Sequence, residues 1–349
     1  MNRNVRSLID KLKTTHSLSV SEYEEILLNI DNENREYLKR LAREAREKHY
    51  GKAVFIRGLI EISNICKNDC YYCGIRAGNR NCERYRLSDS EILECCEEGY
   101  SLGFRTFVMQ GGEDFSFTDD RLCSLIKTVK EKYPDAAVTL SLGERTRESY
   151  KRLKDAGADR YLLRHETADR EHYKKLHPES LSWDTRMECL RSLKDLGYQV
   201  GCGFMVGSPF QTVEMLAREL KFIEEFKPHM CGIGPFIPHR ETIFRDCPAG
   251  DVSLTLTLLS LIRLIVPKVL LPATTALGTA SQGGREEGIL AGANVVMPNL
   301  SPKSVRKKYM LYDNKLSDGD ESAQAVESLK NRIREIGYEI VTARGDALK

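Results

Sequence analysis

Three cysteines in one short run, Cys66-Lys67-Asn68-Asp69-Cys70-Tyr71-Tyr72-Cys73, are the residues of this chain best suited to chemistry. Thiolates are soft ligands that suit zinc or iron and sulfur. Two unequal short spacings let a single loop curl around three corners of a four-iron, four-sulfur cubane and leave the fourth corner open. A closed zinc site needs a fourth ligand, for which Cys82 and His165 are the nominees, although neither lies at a usual finger spacing. A ferredoxin-like carrier would show C-x2-C-x2-C-x3-C, a run this chain lacks. The scattered Cys95, Cys96, Cys123, Cys189, Cys202, Cys231 and Cys247 read as small apolar residues in helices, strands or loops. With eleven cysteines in 349 residues, a tight cluster points to metal chemistry rather than a disulfide framework.

The elements that must position this loop show in the hydrophobic rhythm. Residues 1–50 read as an N-terminal helical cap, with Ser19 and Ser21 as candidate N-caps. From residue 53 onward, β-branched runs alternate with amphipathic segments. The expected strands are 54–62, 106–109, 137–142, 160–163, 200–205, 231–235, 269–272 and 294–297. Helices are expected over 88–102, 119–132, 147–156, 185–196, 212–226 and 254–265, with further helices at 303–312 and 321–336. Eight alternations predict an α/β fold, a (β/α)8 TIM barrel over 53–300 with a C-terminal extension over 301–349; a doubly wound open sheet is the competitor. No linker composition interrupts 1–349, which reads as a single domain. The cysteine loop follows the first strand, at the end of a barrel where active sites sit.

Composition narrows the class. A formal charge of +2, from 53 basic and 51 acidic residues interleaved along the chain, offers no electrostatic footprint for nucleic acid. No apolar run is long enough to span a membrane and the first thirty residues lack a signal-like core, so a cytoplasmic protein is expected.

The second strand ends in Met109-Gln110-Gly111-Gly112-Glu113-Asp114. Taken alone, the two glycines fit an ordinary turn. Together with C-x3-C-x2-C and Tyr72 before the last cysteine, the segment resembles the radical S-adenosylmethionine (radical SAM) superfamily. That resemblance implies that Cys66, Cys70 and Cys73 bind a [4Fe-4S] cluster whose open iron chelates S-adenosylmethionine. It also implies reductive cleavage to methionine and a 5′-deoxyadenosyl radical, with Tyr72, Gln110, Gly111, Gly112 and Glu113 near the cofactor.

Longer segments resemble the HydE family, the radical SAM maturases of [FeFe]-hydrogenase, over nearly the whole chain: Thr139-Leu-Ser-Leu-Gly143, Asp159-Arg-Tyr-Leu-Leu-Arg-His-Glu-Thr167, Gly232-Ile-Gly-Pro-Phe-Ile-Pro-His239 and Pro272-Ala-Thr-Thr-Ala276. Carried over, Arg164, Glu166 and Arg186 contact the cofactor, and Thr274, Thr275, Met297 and Tyr309 line the cavity or cofactor pocket. The implied substrate is a cysteine-bound iron carbonyl cyanide complex delivered by HydG, with assembly continuing on the scaffold HydF. Biotin synthase and methylornithine synthase are the rivals within the same chemistry, acting on a small amino acid or thiol. A non-catalytic metal-binding protein is the rival from another class.

Several residues carry a plainer reading as well. Met297 suits core packing at a strand end. Arg164 and Glu166, at i and i+2, suit a permanent ion pair, with His165 between them turned outward. Arg57 and Arg164 suggest an anionic substrate, since a charge on an inward strand face needs a partner. Two features depart from the family pattern. Ser317, Ala325 and Ser328 stand where many members carry a C-x7-C-x2-C accessory cluster, so a second cluster is expected to be absent. Gly207-Ser-Pro-Phe-Gln211 replaces a Leu-Pro-Gly turn.

Overall fold

The computed structural model describes residues 2–317, 319 and 322–348. Three helices come first: α1 (Arg3–Thr15), α2 (Val20–Asn29) and α3 (Asn32–Tyr50). Ser19 starts α2 with a capping box, its hydroxyl accepting from the Glu22 N–H while the Glu22 carboxylate accepts from the Ser19 N–H. Ser21, the other candidate cap, lies inside that helix.

All eight expected strands are present. The first is β1 (Ala53–Ile56) continued by β2 (Gly58–Ser63); next come β3 (Thr106–Gly111), β4 (Ala137–Ser141) and β5 (Arg160–Leu162). The fifth comprises β6 (Gln199–Cys202) and β7 (Met205–Val206), and the sixth β8 (Met230–Cys231) and β9 (Gly234–Pro235). The seventh pairs through Leu270 and Pro272, and the eighth, β10 (Val295–Val296), reaches Asn299. Every pairing between neighbours is parallel, and Met230 with Leu270, Pro272 with Val295 and Leu59 with Asn299 close the ring. The sheet is a barrel, not the open competitor.

The surrounding helices are α4 (Asp89–Ser101), α5 (Asp119–Lys132), α6 (Arg147–Asp155), α7 (Arg170–Leu176), α8 (Trp183–Asp195), α9 (Val213–Phe226), α10 (Val252–Ile265), α11 (Thr275–Ala280) and α12 (Gly284–Leu290). The short α7, α11 and α12 give no 3.6-residue stripe long enough to read from sequence. After the barrel come α13 (Lys303–Arg306), α14 (Val326–Glu335) and an outer strand β11 (Glu339–Val341), which pairs in parallel with β1.

One expected helix is corrected. Only Lys303–Arg306 of the 303–312 segment is helical. Beyond it the carbonyls of Lys308 and Leu311 accept from Asn64 Nδ2 and the Gly74 N–H of the cysteine loop, and tertiary bonds replace the helical ladder. The helix expected over 321–336 begins at Val326, after a 3-10 turn at Ala323–Ala325; Glu321 lies outside the described residues.

The barrel floor holds a second correction. Arg57 does not approach the strand tips. It is buried at the opposite end, where its guanidinium donates to the Gly345 carbonyl and meets Met230 Sδ at 2.9 Å. Arg160, fully buried beside it, binds Asp346 at 2.6 Å and the Arg344 carbonyl at 2.7 Å. Arg344 pairs in turn with Asp159 and Asp346. The C-terminal tail thus supplies the counter-charge that an inward arginine requires. Burial raises the Asp346 carboxyl, but hydrogen bonding to Arg344 and the charge of Arg160 hold it well below the ordinary carboxylate range. Its contribution to stability is therefore present at neutral pH and is lost as pH falls through the acid range. Asp346→Ala is expected to destabilise the fold by about 2 kcal/mol, less than a wholly buried pair because Asp346 is partly in water. That corresponds to a drop in Tm of roughly 5 °C in a thermal melt; an unchanged Tm shows that the tail does not support the floor.

Candidate active site

The cysteine loop leaves β2 after Ser63 and is tied down from several directions. Lys67 N–H donates to the Glu113 carbonyl at 3.0 Å, Tyr71 N–H to the Leu176 carbonyl at 3.0 Å, and Gly74 N–H to the Leu311 carbonyl at 2.8 Å. Arg84 staples it internally, with four bonds of 2.6 to 3.1 Å to the carbonyls of Asn64, Ile75, Arg76 and Asn79. Asp69 pairs with Arg76 and accepts from the Gly78 N–H.

Two glycines permit this packing. A Cβ on Gly112 would stand 2.3 Å from the Ile65 carbonyl oxygen and 2.7 Å from Cys66 Cβ; one on Gly74 would stand 2.1 Å from the Met310 carbonyl oxygen. Close backbone approach, not left-handed geometry, demands glycine at both. The end of β3 therefore lies directly against the first cysteine, and the Glu113 N–H points at Cys66 Sγ at 3.4 Å. The Glu113 carboxylate bridges Lys67 Nζ at 3.1 Å and the Glu144 N–H at 2.9 Å.

Burial pushes all three thiols up, Cys70 well above the ordinary range and Cys73 to about 12, and the neighbouring cysteines add to the rise at Cys70 and Cys73. Alone, they stay protonated at neutral pH. Iron supplies the positive charge that lets such sulfurs ionise, so binding releases protons. His165 and Cys82, the nominees for a fourth zinc ligand, are directed elsewhere: His165 Nε2 meets Glu219 at 2.7 Å, and Cys82 Sγ lies 3.5 Å from Asn64 Nδ2. Three thiols on one loop, with neither nominee beside them among the described residues, fit a cubane with one open corner.

The tip of β5 faces this loop. Arg164 Nη2 and Glu166 Oε2 stand 3.2 Å apart, within ion-pair distance yet not aligned as a hydrogen bond, and both atoms are buried without a hydrogen-bond partner among the described residues. Glu166 adopts φ 65°, a left-handed conformation that costs a non-glycine residue free energy and collects at functional sites. His165 is buried and directed outward, as its place in the strand predicts. Its Nδ1 accepts from the Gly203 N–H, so Nε2 carries the proton donated to Glu219, whose other oxygen accepts from the Ala168 N–H. Helix α9 thus braces the strand tip that carries Arg164 and Glu166. Arg186, on α8, stands one layer behind, donating to the Arg164 carbonyl at 2.7 Å and to Glu144 at 2.5 Å.

The other expected residues fall at varied depth. Tyr72 is half-buried and donates to His177 Nε2 at 3.2 Å. Gln110 Nε2 donates to the hydroxyl of Tyr309, which is fully enclosed, at 3.3 Å. Thr274 caps α11 and Thr275 accepts from Arg285 at 3.2 Å, on the opposite rim. Met297 is partly buried and packs against the cluster of Met230, Leu270 and Val295. Glu61, buried on the inward face of β2, binds Lys315 Nζ at 2.7 Å and Asn299 Nδ2 at 2.9 Å. Across the barrel, positions 201, 203, 232 and 234 are all glycine, and a Cβ at 201, 203 or 234 would come within 2.0 to 2.8 Å of Leu162, the Gly232 carbonyl oxygen or Thr274. Sequence reading missed Arg84, Glu144, Glu219, Tyr173, His177 and the Glu61–Lys315 pair, because none carries a local spacing signal.

Comparison with known proteins gives a consistent result. Residues 60–223 match the model of the radical SAM superfamily. The chain is 42% identical to the [FeFe] hydrogenase maturase subunit HydE of Thermotoga maritima, over 95% of this chain and 94% of that protein. It is 30% identical to 3-methylornithine synthase of Methanosarcina barkeri, over 92% and 90% of the two chains. The crystal structure of methylornithine synthase (PylB) superposes with a TM-score of 0.85 at 28% identity, covering 96% of this chain and 97% of that one.

Gly112→Ala tests the close approach of the two loops. Iron bound after anaerobic reconstitution is expected to fall severalfold while the far-ultraviolet circular dichroism is unchanged; a full complement of iron shows that the approach is not needed for the cluster.

Proposed function

Taking as premise that this chain belongs to the HydE family of radical SAM enzymes, we propose that it acts in maturation of the [FeFe]-hydrogenase di-iron subcluster. The carrying observation is the 42% identity to a HydE maturase along nearly the full length of both chains. Cys66, Cys70 and Cys73 hold a [4Fe-4S] cluster in this reading, and the open corner takes S-adenosylmethionine. Such a cluster, once reduced by an external electron donor, would supply one electron to the sulfonium of the bound cofactor, splitting the cofactor into methionine and a 5′-deoxyadenosyl radical.

The chain's own contribution is placement and exclusion. Arg164 and Glu166 offer opposite charges to a zwitterionic ligand, and Arg186 and the His165–Glu219 pair fix the backbone between them. The closed barrel excludes water and stray hydrogen donors from the radical. Thr274, Thr275, Met297 and Tyr309 complete the cavity or cofactor pocket. The substrate is a cysteine-bound iron carbonyl cyanide complex made by HydG, and HydF receives the product; the whole chain, 1–349, works as one unit in the cytoplasm. Among the described residues no helix is long and apolar enough to cross a membrane. With Ser317, Ala325 and Ser328 at the accessory-cluster positions, the protein carries one cluster.

Three measurements test this. In an anaerobic assay with S-adenosylmethionine and a strong reductant, the HydG product and not free amino acids is expected to stimulate 5′-deoxyadenosine formation; stimulation by an amino acid alone transfers the chain to the synthase group. Cys70→Ser is expected to abolish the cluster signal and 5′-deoxyadenosine together, and persistence of both breaks the ligand assignment. Iron is expected near four atoms per chain, and a stoichiometric second cluster would falsify the reading of the three C-terminal positions.

A further inference from the structure

Tyr173, on α7, is wholly buried, and its hydroxyl has no hydrogen-bond partner among the described residues. Such a group is costly to bury and requires an account. Mobility does not supply one, because the ring is clamped. It stacks on the His177 imidazole with centroids 3.8 Å apart and planes 18° from parallel. His177 Nδ1 donates to the Tyr173 carbonyl at 2.9 Å, which leaves Nε2 to accept from the Tyr72 hydroxyl at 3.2 Å. Burial pushes that imidazole down to about 3, so it is neutral and keeps this tautomer at neutral pH. Tyr72, two residues from one cysteine and next to another, therefore locks His177, and His177 locks Tyr173.

Arg186, Glu144, Cys70 and Glu166 are all within electrostatic reach of the Tyr173 hydroxyl. Burial raises the phenol above its ordinary range, so the hydroxyl keeps its proton and is a donor. Arg164 Nε, Arg164 Nη2 and Glu166 Oε2 in the same region are buried and equally lacking hydrogen bonds. Most buried polar groups find partners within a fold. Here atoms from two separate elements lack them beside one cluster cysteine, an arrangement that a polar ligand completes.

We propose that Tyr173 is a cofactor-binding residue whose hydroxyl donates a hydrogen bond to the carboxylate of S-adenosylmethionine, beside Arg164 and Glu166. The assignment rests on the radical SAM reading above and adds a contact to it. The carboxylate is the anionic acceptor of that cofactor, and a region holding Arg164 and Arg186 suits it. The clamp through His177 and Tyr72 makes the donor preorganised, so little side-chain freedom is lost when the cofactor binds.

Tyr173→Phe keeps the ring and removes the hydroxyl alone. With the cluster reconstituted and left oxidised, equilibrium dialysis is expected to show the Kd for S-adenosylmethionine raised about tenfold, the loss of one hydrogen bond to a charged acceptor. Affinity for 5′-deoxyadenosine, which has no carboxylate, is expected to be unchanged, as is iron per chain. The cofactor-free Tm is expected to hold or rise, because the variant deletes an unsatisfied polar group, whereas a structural hydrogen bond would lower it on removal. A Kd within twofold of the wild type, a lowered cofactor-free Tm, or an equal loss of 5′-deoxyadenosine affinity each overturns the assignment. Absence of S-adenosylmethionine binding by the wild-type protein instead overturns the family reading, and the two failures are thereby distinguished.

Discussion

Three sulfurs that burial holds protonated, on one loop, set the terms for the rest of this molecule. Thiols in that state bind iron only as they give up protons, so their positions must be fixed by something other than their own charge. The fold fixes them with loop N–H groups that donate to the carbonyls of Glu113, Leu176 and Leu311, just past the second strand, at the end of α7 and in the C-terminal segment, and with the internal staple of Arg84. Each tie comes from a different stretch of chain. The loop is therefore the point on which the barrel, its helices and its extension converge.

The C-terminal segment serves this loop at the expense of its own regularity. Residues after Arg306 abandon the helix, their carbonyls turn to Asn64 and Gly74, and Tyr309 enters the barrel to meet Gln110. Lys315 follows and neutralises the buried Glu61. At the other end, residues 344–346 neutralise Arg160 and close the floor around Arg57. One extension thus reaches both ends of the barrel and satisfies charges the strands could not bury alone.

Within the barrel the two sides differ in kind. Strands one to four carry the thiols, Gln110, Arg164 and Glu166, while strands five and six present glycine at four positions. Charged and thiol side chains are thus concentrated on one wall, while the other is built of closely packed backbone.

Features written in short-range pattern were legible from the sequence: the thiol spacing, the paired glycines, eight strands in period, the Ser19 cap and the outward turn of His165. These depend on residue type and on alternation within a few positions, which backbone geometry alone imposes. Tertiary structure decided the rest. Arg57 and Arg164 look alike in sequence, both inward on strands, yet one meets the tail and the other pairs with Glu166 at the strand tip. The stretch 303–312 has helical composition but loses its ladder to partners more than two hundred residues away. Glu219 has no local signature, because its role comes from His165 and Ala168, which only the folded barrel brings within hydrogen-bond distance, and local propensity carries no record of such pairs.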